Sequence, residues 1–130
     1  MIEFDRTEGE EDLRGPYGPA GGTGWTDAIR TDVTRRLAAI VVESPDPVGL
    51  CRHWARVLEM PFTADSHGGR IEADMIAIQF ARGDGAREIL RTLAIDVADR
   101  RGIEARAEEC GYPVSDAGVE FSGVRFQLMT

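Results

Sequence analysis

The chain has 130 residues, 42% of them hydrophobic and 29% charged, the composition of one globular domain with an ordinary core. All 15 basic residues are Arg, and 23 acidic residues leave a net charge of -8, a field that repels phosphate backbones and anionic lipids and so speaks against nucleic-acid and membrane-surface partners. The absence of Lys removes Schiff-base chemistry, no apolar run reaches bilayer length, and the acidic N-terminus is unlike a secretory signal, so a cytoplasmic protein is expected.

Residues 1–36 read as an N-terminal arm. Ile2–Phe4 is a short apolar strand candidate, and DRTEGEEDLRGPYGPAGGTGWTD at 5–27 joins acidic residues to three Gly/Pro clusters with no sustained period. GPAGGTG at 18–24 lacks the trailing Lys-Ser/Thr of a phosphate-binding loop and the strand and helix that would flank one, so no nucleotide site is read there.

Regular periodicity begins at Leu37, and 37–130 is the predicted domain. Leu37–Glu43 (LAAIVVE) is a β-branched strand. Asp46-Pro47 starts a helix, because the Asp side chain accepts from free amides while Pro suits the first helical position. Leu50, Trp54, Val57 and Leu58 then recur at helical spacing to about Glu59, and Pro61 stops the helix. Strands follow around Phe62–Asp65, Arg70–Ala73 and Met75–Ala81, with Gly68-Gly69 as the turn between the first two.

The order then begins again. Thr92–Val97 alternates as a half-buried strand does, and Asp99 caps a second helix with the stripe Ile103, Ala107, Cys110 and a terminating Gly111. Two further strands, Val114–Phe121 and Val124–Met129, flank Ser122-Gly123. Laying Thr92–Asp99 on Ala39–Asp46 superposes Leu50 on Ile103, Trp54 on Ala107 and Val57 on Cys110. With one deletion Pro61 meets Pro113, and Ile78-Gln79-Phe80 meets Phe126-Gln127-Leu128. Shared caps, stops and a strand triplet make an internal repeat, with modules at about 37–82 and 91–130.

The pieces AAIVVESPDPVGLCRHWARVLEMPF and TLAIDVADRRGIEARAEECGYPV resemble the opening strand and helix of the two modules of the glyoxalase, bleomycin-resistance and extradiol-dioxygenase superfamily, the vicinal oxygen chelate proteins. SGVRFQL is similar to their closing turn and strand. The resemblance covers about residues 37–130. It implies an α+β fold of two βαβββ modules, a curved mixed sheet with helices on its outer face, and an inner cup that usually holds a divalent metal on four strands. The family's ligand positions fall here on Ala39, Gln79, Thr92 and Gln127. Ala has no donor atom, and two neutral amides with one hydroxyl bring no anionic charge to offset dehydration of a divalent ion. The expectation is therefore a metal-free cup without cofactor, where an enzyme of this family would use Zn, Ni, Mn or Fe. MIEFD resembles the last strand of such a domain, with Glu3 at the terminal ligand position, and RGPYGPAGGTGW resembles the linker of two-domain members. Two readings of this end stay open: an apolar end that adds to a sheet edge, and, as the resemblance implies, a remnant strand that would make the chain the C-terminal domain of a two-domain member.

Alternation extends the cup. If Ala39, Gln79, Thr92 and Gln127 face inward, so do Val41, Glu43, Ala77, Asp96, Arg125 and Met129, while Ile40, Val42, Ile78, Phe80, Leu93, Ile95, Phe126 and Leu128 face the helices. Gln79, Thr92, Asp96, Arg125, Gln127 and Glu43 are the candidate ligand-binding set. The competing reading is an open, wetted sheet face on which Glu43, Asp96 and Arg125 form surface ion pairs. A dry Asp96 or Glu43 would suit a general base. His53 reads as a helix-face residue, and His67, in SHGGR, as an exposed loop tip within reach of the cup. Cys51 and Cys110 are expected to be buried, reduced thiols.

Three functions stay open at this stage: a metal-free small-molecule-binding domain, a divalent-metal lyase, isomerase or dioxygenase, and a dimerising domain without ligand. A homodimer is expected in each case, because open sheet edges favour a covering segment or partner, with Tyr17 and Trp25 of the arm as apolar anchors.

Overall fold

The computed structural model describes residues 23–130. Ile2–Phe4, Glu3 and Tyr17 lie outside them, as does the side chain of Trp25. The chain divides into two units, Met1–Arg30 and Thr31–Thr130. In the first, Thr23–Ala28 forms a 3-10 helix where sequence suggested only irregular chain.

The second unit runs β1 (Thr34–Ser44), α1 (Pro47–Leu58), β2 (Phe62–Ala64), β3 (Gly68–Ala73), β4 (Ile76–Arg82), β5 (Ile89–Val97), α2 (Arg100–Glu109), β6 (Val114–Ser115), β7 (Gly118–Phe121) and β8 (Val124–Met129). It therefore starts before the predicted boundary at Leu37, since Thr34 and Arg36 already pair with Val97 and Asp96 of β5. All eight strands form one mixed sheet in the order β2-β3-β4-β1-β5-β8-β7-β6. The order of the first module is thus repeated in reverse about the central antiparallel β1/β5 pair, and in each module the first and last strands pair in parallel. This is the expected α+β arrangement of two βαβββ modules.

The repeat read from the sequence reappears atom by atom. Asp46 Oδ1 accepts from the Gly49 amide at 3.0 Å, and Asp99 Oδ1 accepts from the Gly102 amide at 3.0 Å, so both helices start on the same cap. Val41 lies opposite Gln79 in one module and Ala94 opposite Gln127 in the other, the pairing that the superposition requires.

Three local readings change. Gly68 and Gly69 belong to β3, because a Cβ on Gly69 would meet the Cys51 side chain of α1; the missing side chain lets helix and strand close together. The turn lies at 65–67, where Asp65 Oδ1 accepts from the amides of His67 (2.7 Å) and Gly68 (3.1 Å). Those amides, with the His67 ring nearby, hold the Asp65 carboxyl below the usual carboxylate range. Val114–Phe121 is two strands, broken at Asp116-Ala117 where Ser115 Oγ accepts from the Ala117 amide.

Both helices pack on one face of the sheet. The first core joins Cys51 and Ala55 of α1 to Val42, Ile71, Ile78 and Phe80, with Trp54 set edge-on against Phe80 at 5.5 Å. The second joins Ala107 of α2 to Val97, Val119 and Leu128. The stripe centres on Cys51 and Ala55, which leaves Val57 exposed, and the equivalent Cys110 is likewise exposed rather than buried. Cys110 follows the last turn of α2 as its C-cap, so nothing in the helix turns it toward the sheet.

The two thiols should therefore differ. Burial pushes the Cys51 thiol up, only partly offset by the Arg70 backbone, so it stays protonated at neutral pH and closed to reagent. With a disulfide reagent at pH 8, one thiol should react at once and the second only on unfolding. Cys110→Ser should abolish the fast phase, and two fast thiols in the native protein would contradict the packing of Cys51.

The sheet edges are short: β2 has three residues and β6 two. Short edges already limit edge-to-edge pairing, which removes much of the reason for expecting a partner there. Among the described residues no helix is long and apolar enough to cross a membrane.

Candidate functional site: the helix-free face of the sheet

Register places the cup residues in two cross-strand rows on the face opposite the helices. One row runs Arg70, Gln79, Val41, Thr92, Arg125, Glu120; the next runs Glu72, Ala77, Ala39, Ala94, Gln127. Ala39, Ala77 and Ala94 touch one another and are buried although no helix covers them. Three methyls in the middle of a row of longer side chains make a depression. Around it lies a concavity of about 510 Å³, with Arg36, Arg70, Glu72, Met75, Gln79 and Gln127 in its wall, within the range of small-ligand sites.

Of the six residues singled out from sequence, Gln79 and Gln127 line this concavity and the other four do not. Thr92 is buried in the adjoining row. Glu43 faces Arg91 at 3.8 Å, Arg125 donates to Glu120 at 2.8 Å, and Asp96 holds Arg35 at 3.3 Å and Arg36 at 3.6 Å. The ion-pair reading therefore describes Glu43, Asp96 and Arg125. Neither proposed general base is dry, since the side chains of Glu43 and Asp96 remain 29% and 26% exposed. Asp96 instead serves the site indirectly: it helps fix Arg36, whose guanidinium also donates to the Met75 carbonyl at 3.3 Å on the rim.

Arg36, Arg70 and Glu72 were missed. Arg36 lies before the predicted start of the first strand. Arg70 and Glu72 flank Ile71, which packs in the helix-side core, so alternation along β3 would have placed both on the cup face. They form an ion pair with each other.

His53 is exposed on α1, as expected of a helix-face residue. His67 is exposed and lines a second hollow, of about 450 Å³, whose wall shares Arg70 and Gln79 with the cup. It therefore stands beside the cup rather than over the alanine floor.

The residues at the four positions where the resemblance would put metal ligands do not suit a divalent ion. Ala39 offers no donor, Thr92 offers a hydroxyl from a buried position, and the two amides Gln79 and Gln127 sit in different rows. Among the described residues no group of three or more His, Cys, Asp or Glu is placed to hold a metal. In comparison with known proteins, the chain matches no family model, and no curated protein matches it at a significant level.

Proposed function

We propose that this chain is a cytoplasmic, glyoxalase-like small-molecule-binding domain whose cup takes its ligand without a metal. The observation that carries this reading is the alanine-floored concavity of about 510 Å³ between Gln79 and Gln127. The repeated βαβββ order and the reversed strand order about β1/β5 support the family assignment. Two amides supply donors and acceptors, Arg36 and Arg70 supply guanidinium forks, and the three methyls supply an apolar floor. That combination suits a compact ligand with an apolar face and carboxyl or hydroxyl groups at its rim.

The test follows the Ala39, Ala77 and Ala94 methyl signals by NMR during titration of the full chain with lactate, succinate and catechol. At least one probe should give saturable shifts, weakened about tenfold in Gln127→Ala, roughly the loss of one net hydrogen bond. Gln127 is exposed, so that variant should fold normally. No saturable shift with any of the three would overturn the ligand-binding reading. Elemental analysis of protein purified without chelator should find no stoichiometric Zn, Ni, Mn or Fe; one equivalent, lost in Gln127→Ala, would overturn the metal-free part alone.

A further inference from the structure

The helix-free face continues past the cup along β3 and β4. Three successive rungs of that strand pair share the face: Glu72 with Ala77, Arg70 with Gln79, and Gly68 with Ala81. The first rung belongs to the cup. The second stands up as a ridge of two long side chains, and Thr63 of the edge strand β2 extends it by pairing with Arg70. The third falls away again, because Gly68 carries no side chain and Ala81 only a methyl. Beyond the ridge lies the hollow of about 450 Å³, bordered by Asp65 and His67 of the turn before β3. Its floor at Ala81 is four residues along β4 from Ala77, about 13 Å at strand spacing, so only a two-part ligand touches both floors.

We propose that this hollow receives an uncharged, hydroxyl-rich arm of the cup's ligand, which makes the ligand class glycoside-like: a compact apolar group over the three alanines, joined across the ridge to a polyhydroxylated group. The inference rests on the ligand-binding reading of the cup. Arg70 and Gln79 line both hollows, so the two parts of such a ligand meet the same pair of side chains, and a linking oxygen at the crest can accept from them. The charges favour a neutral arm. Glu72 already balances Arg70, and Asp65 stands across the hollow as a carboxylate, so an anion meets Asp65 and a cation meets Arg70 at close range. A hydroxyl both donates and accepts and can use the two together. Asp65 bonds the turn amides through Oδ1 and Arg70 bonds Glu72 through Nε, which leaves the second carboxylate oxygen and the terminal guanidinium nitrogens for the arm, beside the Thr63 hydroxyl and the His67 ring.

The experiment titrates the full chain with phenol, phenyl β-glucoside and phenyl phosphate. It follows the methyl signals of Thr63 and Ala81 for the hollow and those of Ala39, Ala77 and Ala94 for the cup. Phenol should shift the cup methyls alone. The glucoside should shift both groups with about tenfold higher affinity, roughly one net hydrogen bond gained. His67→Ala should remove most of that advantage and leave phenol binding unchanged; His67 is exposed and bonds Asp65 through its backbone amide, so the turn persists. Equal affinity for phenol and glucoside, with Thr63 and Ala81 unmoved, would overturn the inference and leave the cup reading standing. No saturable shift at the alanine floor with any probe would overturn both. Glucoside shifts confined to Thr63 and Ala81 would overturn the joining of the two hollows, and tighter binding of phenyl phosphate than of the glucoside would overturn the neutral arm.

Discussion

Gly118→Ala is expected to destabilise the domain by about 3 kcal/mol, combining backbone strain with a steric clash. Gly118 opens β7 with φ +125°, and a Cβ there would lie 2.9 Å from the Phe126 carbonyl carbon and closer still to its oxygen. Both atoms belong to the β8 backbone, so no side-chain rotation relieves the contact. Gly111 separates the two costs: its φ is +80° but nothing lies within 4 Å of the added carbon, so Gly111→Ala should cost only about 1 kcal/mol of left-handed strain. Equilibrium urea unfolding of the two variants measures the difference. Because β8 carries Gln127, Gly118→Ala should also weaken probe binding in the cup. Equal costs at the two glycines would mean that β7 and β8 are not held as close as described.

The fold was legible because its strongest local signals occur twice. Asp46 with Pro47 and Asp99 with its following turn mark helix starts by the chemistry of free amides, and the two capped glycines, Gly49 and Gly102, confirm the same geometry. The strand triplets ending at Phe80 and Leu128, matched as equivalent last strands, each lie parallel to the first strand of their module. What escaped depends on contacts between distant segments. Gly68-Gly69 carries the composition of a turn, yet the close approach of α1 and β4 makes small residues necessary within a strand. Arg35, Arg36 and Arg91 draw Asp96 and Glu43 into ion pairs, and no spacing rule reveals which charges meet across β1 and β5, where the ladder is irregular near Ala38 and Arg91. The cup was legible as a face but not as a cavity. Its depth comes from three alanines on three strands, and small residues become a depression only when register sets them side by side.

The two modules bury their helices unequally, α1 with Pro47, Cys51 and Ala55 and α2 with Ala107 alone, and the largest stability effect expected in the core follows the tighter one. Phe80 is 2% exposed and contacts the Trp54 ring from the sheet side, opposite Val42 on β1 and Gly69 on β3. Phe80→Ala removes a ring that Trp54 alone cannot replace, since Cys51, Ala55 and Ile71 hold the surrounding space closed. The cost should be about 3–5 kcal/mol, a large share of the roughly 5–15 kcal/mol that holds a domain together. Leu128, its counterpart in the second module, is also buried, at 6%, but it borders an open hollow of about 380 Å³ on the helix side of the sheet, where neighbouring side chains can relax into existing space. Leu128→Ala should therefore fall near the low end for such truncations, about 2 kcal/mol. Urea denaturation at constant m-value measures both. If Leu128→Ala costs as much as Phe80→Ala, the second module is as tightly packed as the first and the hollow beside Leu128 gives its neighbours no room to relax.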